Sequence, residues 1–105
     1  MRVYTDRKRS KNTHQYPLVK FPMAFAVGAA LDIRGKVQKV VRGDGVCKLI
    51  IEPGNAPGFA VFADCLNDAE KIQSRKVRKG SLVSIRGKFQ TYGAMAVCLE
   101  DCRLQ

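Results

Sequence analysis

Arginine, glycine and lysine recur in the same order at two places in this chain. Ile33-Arg34-Gly35-Lys36-Val37-Gln38 reappears as Ile85-Arg86-Gly87-Lys88-Phe89-Gln90, and only Val37 against Phe89 differs. A guanidinium beside an ammonium group can neutralise phosphates, but neither is a nucleophile or a base at neutral pH. Each copy alternates an apolar residue or Gly with a charged or amide residue, which is the period of a half-buried strand. Arg34, Lys36, Arg86 and Lys88 then stand on the face opposite the core. A Gly in the middle of each run predicts a bend or bulge of the kind small barrels need. The paired segments therefore point to a small β-barrel with a positive surface, and from there towards nucleic acid.

Catalytic chemistry finds little support. His14 is the single histidine and stands in a polar, basic stretch. No carboxylate pair flanks a nucleophile, and Cys65 and Cys98 have no evident base partner. The glycines at 43, 45 and 80 do not follow a strand and open a helix, as a phosphate-cradling loop requires. The expectation is a protein that is not an enzyme, with no cofactor and no small-molecule substrate. Cys47, Cys65, Cys98 and Cys102 do not form a pair of close-set doublets, so no metal site is expected. They read as buried thiols, which fit a reducing, cytoplasmic setting.

The chain has 105 residues, enough for one domain with a modest core. Its 19 basic and 9 acidic residues give a net charge of +10, which attracts polyanions. The charge is clustered. Residues 1–22 read as a basic, flexible arm carrying Arg7, Lys8, Arg9 and Lys11, and residues 23–105 as the folded domain. The apolar run Pro22–Leu31 is too short to span a bilayer, so no membrane is expected. The basic stretch before it is long for the leading part of a signal peptide.

Strands are predicted over 24–41, 46–52, 59–63, 82–91 and 94–104. Asp44-Gly45 marks a tight hairpin, and the breaker-rich Pro53–Gly58 marks a loop. Asp64 or Asn67 can start a short helix over 68–75, whose end is crowded with Lys71, Arg75, Lys76, Arg78 and Lys79. Cations there are favoured by the helix dipole. The phase of the last strand breaks at Glu100-Asp101, which predicts a bulge. Three strands, a helix and two strands is the element order of the OB-fold. The predicted class is all-β: a five-stranded antiparallel OB-fold barrel with one short helix between strands 3 and 4.

Particular residues carry a family resemblance. Leu31–Val37, Lys79–Phe89 and Val97–Leu104 resemble the tRNA-anti-like group of OB-fold proteins. The likeness lies in a hydrophobic-x-Gly-Lys-hydrophobic first strand, a Lys-Gly-x-x-Val-x-Ile-x-Gly-Lys fourth strand and a last strand ending Val-x-Leu-x-Asp-Cys-x-Leu. It covers about residues 30–105 and implies the fold more than a ligand.

OB-folds bind single strands across strands 2 and 3, between the loops joining strands 1 to 2 and 4 to 5. Those places hold Lys39, Arg42 and Lys48 on one side and Tyr92 on the other. Tyr92 is the leading stacking candidate and Phe59 the next, although parity alone leaves open whether Phe59 or Phe62 faces the core. The expected function is binding of single-stranded nucleic acid, DNA ahead of RNA, with little sequence preference, in replication, recombination or DNA transfer. An exposed strand edge would allow a homo-oligomer. The alternatives are a protein-interaction module, and a duplex or structured-RNA binder acting through the arm.

Overall fold

A computed structural model describes residues 26–105. The basic arm, and with it Arg7, Lys8, Arg9, Lys11 and the boundary at residue 22, lies outside the described residues. The elements are β1 (Ala30–Gly43), β2 (Val46–Pro53), β3 (Ala60–Asp64), a 3-10 turn (Leu66–Asp68), α1 (Ala69–Ser74), β4 (Leu82–Gly93) and β5 (Ala96–Leu104). The strands close into a barrel in the order β1-β2-β3-β5-β4, consistent with an OB-type barrel.

The expectation of an all-antiparallel sheet is corrected. Directions cannot alternate all the way round a ring with an odd number of strands, so one pair must run the same way. That pair is β3–β5, which is parallel over Ala60↔Ala96 to Ala63↔Leu99, and the sheet is mixed. Closure also gives every strand two neighbours, which β1 takes on different halves of its length.

β1 belongs to both halves of the ring. Ala30–Lys36 pairs with β4, and Gly35–Gly43 pairs with β2. Gly35 stands where the pairings overlap, and a Cβ there would collide with the Glu52 carbonyl. Gly87 lies against Cys102 and Leu99 in the same close manner. The repeated glycines are thus sites of close approach, at positions where the sequence predicts a bend or bulge. One register slip follows Gly35, between Val37 and Lys39 in β1, and a second lies across Gly87, between Arg86 and Lys88, with its extra residue on β5. The second slip matches the expected β5 bulge, where Asp101 adopts φ +50.

Inward positions line up around the ring. Val37, Ile51, Val61 and Val97 form one level, and Val40, Leu49, Ala63, Leu99 and Phe89 the next. All but the half-buried Val40 are buried, and Ile72 and Val77 from the helical connection join the same core. Asp68 ties that connection down: its buried carboxylate accepts a 2.7 Å hydrogen bond from the Leu104 amide. A bond to a charged acceptor of this kind contributes about 1.5–3 kcal/mol. Lys71 and Arg75 donate to the carbonyls of Leu104 and Gln105, so two of the helix-end cations hold the last strand. No helix among the described residues is long and apolar enough to cross a membrane.

Candidate functional site

The two Arg-Gly-Lys segments meet head to tail, with Ile33 directly opposite Ile85. The inversion sets the cations of each copy beside different neighbours. Arg86 faces Asp32 and forms a two-pronged ion pair at 2.7 and 3.0 Å. Lys88 lies 3.5 Å from Asp101, which also takes Arg103 at 3.2 Å. A hydrogen bond from Asn67, with Arg103 and Lys88 adding attraction, holds the Asp101 carboxyl below the ordinary aspartate range. Arg34 faces Ser84, and Lys36 faces Leu82 on one side and Glu52 on the other. Among the described residues neither Arg34 nor Lys36 forms an ion pair. The second copy is therefore largely neutralised by its own sheet, and the four cations do not act as equals.

A different set of side chains shares the outer surface of the other half of the ring. Past the Gln38 slip, Lys39 lies opposite Ile50, Ile50 opposite Phe62, Phe62 opposite Cys98 and Cys98 opposite Thr91. The next outward level is Val41, Lys48 and Asp64. Phe62 is 39% exposed, whereas Phe59 is 8% exposed and belongs to the core. The stacking assignment to Phe59 is corrected: Val61 and Ala63 point inward, so residue 59 shares their side and residue 62 does not. Tyr92 pairs with Val97 and extends an inward level to the barrel end, where its ring stacks on Phe89 at 6.2 Å. It closes the barrel and remains 45% exposed.

Lys39 and Arg42 also face a groove of about 690 Å³ between β1 and the α1–β4 connection. Arg78 and Lys79 stand on its far wall, Val40 and Val77 line it between them, and no carboxylate lines it among the described residues. Arg42 donates to the Val77 carbonyl at 3.4 Å, across the groove. Sequence reasoning assigns Arg78 and Lys79 to helix-dipole compensation and misses this placement. The available signal was the Lys79-Gly80 pair, since Gly80 adopts φ +95 and lets the chain turn back onto β1.

Cys47 and Cys65 are held in the thiol form. Cys47, Cys65 and Cys102 are buried and Cys98 is half-buried, all of them free. A hydrogen bond with Cys102, reinforced by burial, pushes the Cys65 thiol far above its ordinary range, and burial raises Cys47. Buried, protonated thiols make poor nucleophiles. The arrangement as a whole offers cation and aromatic contact. No protein-family model matches the chain, and no curated protein matches it.

Proposed function

We propose that this protein binds single-stranded nucleic acid with little sequence preference, DNA ahead of RNA, as an OB-fold protein of the tRNA-anti-like group. The observation that carries the reading is the outward row Lys39–Ile50–Phe62, which sets an aromatic face and a cation on one strip of sheet. Any base can stack on such a ring, while the ammonium group neutralises the backbone beside it. Unpaired bases are required, because the faces of a duplex's bases are already occupied by their neighbours. Roles in replication, recombination or DNA transfer follow from this reading as proposals.

Fluorescence anisotropy with a labelled oligo-dT strand, the same strand in a duplex, and an RNA equivalent tests it across a salt series. The single strand is expected to bind more tightly than the duplex, and DNA more tightly than RNA. Phe62→Ala is expected to weaken the single strand by about 5- to 150-fold, the equivalent of about 1–3 kcal/mol for one stacked base. Equal affinity for strand and duplex, or an unchanged Phe62→Ala variant, would remove the proposal.

A further inference from the structure

We propose that the groove between β1 and the α1–β4 connection is a phosphate-backbone site, reached by a strand that leaves Phe62 at Lys39 and held there by Arg42, Arg78 and Lys79. This rests on the reading of the protein as a single-strand binder. It places the charge contacts away from the repeated Arg-Gly-Lys segments and away from the face of β2 and β3.

The site is assembled from two parts of the chain that are distant in sequence. Lys39 and Arg42 come from β1, Arg78 and Lys79 from the connection, and all four are exposed. The far wall is fixed in place. Gly80 donates to the Val37 carbonyl and the Val37 amide donates to the Ser81 carbonyl, each at 2.8 Å. Within the turn, the Ser81 amide donates to the Arg78 carbonyl at 2.9 Å, and the Arg78 amide donates to the Ser81 hydroxyl at 3.0 Å. Arg78 and Lys79 are therefore mounted on a closed turn strapped to the strand that carries their counterparts. A wall that is already ordered loses less entropy when an anion arrives.

Charge separates this place from the outer face of β4. On β4, Arg86 and Lys88 each have a carboxylate partner. In the groove four cations converge with no carboxylate lining among the described residues, so the folding of the chain itself leaves a positive field there. Two of the four are arginines, whose planar forks match phosphate oxygens. Lys39 joins the two regions, because it stands on the Phe62 row and lines the groove. Phe62 and Lys39 lie two strand spacings apart, about 10 Å.

The test is oligo-dT binding by the full chain over a salt series, comparing Arg78→Gln/Lys79→Gln with a pair of equal charge change elsewhere, Lys71→Gln/Arg103→Gln. Thermal melts establish that each variant is folded, and Lys39→Gln serves as a second groove variant. Loss of two phosphate contacts should flatten the slope of log affinity against log salt by about 1.4 and lower affinity by on the order of ten-fold at 0.1 M salt. The distant pair should leave the slope close to that of the unaltered protein. Equal effects from both pairs would mean diffuse attraction and overturn the groove, while a loss with Phe62→Ala would still uphold single-strand binding. If the unaltered protein binds no oligonucleotide at low salt, both proposals fall. If poly-glutamate competes as well as oligo-dT, the groove takes acidic chains and the phosphate assignment fails.

Discussion

Phe59 and Phe62 stand three positions apart and finish on opposite sides of one strand. Both sit in a short apolar run, so alternation by itself gives two self-consistent answers. The choice is made by neighbours far away in sequence: Val61 lies opposite Ile51 and Ala63 opposite Leu49, and those partners are committed to the core. The charges show the same dependence. Arg86 looks equivalent to Arg34 until pairing puts Asp32 beside one and Ser84 beside the other. Asp101 gives the clearest residue-scale expectation, since its carboxyl is held below the ordinary range by Asn67 first and by Arg103 and Lys88 as well. A group whose folded pKa is depressed adds stability above its unfolded pKa of about 3.9 and loses it as pH falls through the folded value. Asp101→Asn keeps a residue tolerant of φ +50 and removes only the charge. Its stability deficit relative to the unaltered chain should be constant from pH 7 to about pH 5 and should shrink as pH falls below the unfolded pKa of about 3.9. Denaturant melts across that range measure it, and a deficit independent of pH would refute the assigned role.

At the scale of elements, the helix end repays attention. Lys76 adopts φ +55, its amide donates to the Gln73 carbonyl, and the Val77 amide reaches back to the Ile72 carbonyl. These two bonds, with Ile72 and Val77 both buried, form a Schellman closure in which Lys occupies the position that favours Gly. The left-handed backbone costs an ordinary residue about 1–2 kcal/mol, partly offset by the greater entropy that Gly loses on folding. Lys76→Gly should therefore raise stability by about 0.5–1 kcal/mol, read as an upward shift in the denaturant midpoint. A lowered midpoint would show that the lysine side chain contributes contacts that outweigh the strain. The elements themselves are legible in the sequence, because alternation, breakers and the phase break at Glu100-Asp101 are local signals. The groove wall is not, since its position depends on the Gly80 amide donating to the Val37 carbonyl and the Val37 amide donating to the Ser81 carbonyl, across the helical connection.

For the whole molecule, element order identifies the barrel, but the rule that an odd ring needs one like-directed pair must be added to obtain its sheet. The net charge of +10 is visible in the sequence, yet its distribution depends on which cations folding brings beside acids. The single like-directed contact has a mechanical consequence. It spans four paired positions, against seven between β1 and β4, and parallel pairing is slightly weaker per residue. That contact is the clasp of the barrel, and Phe62 is mounted on it. In hydrogen–deuterium exchange, the β3 amides are expected to open earlier than those of β1, and oligo-dT is expected to slow them; unaltered exchange on saturation would exclude the coupling. On the proposed single-strand reading, loosening the clasp and releasing the strand become one event, so a change that weakens β3 is expected to show as faster dissociation.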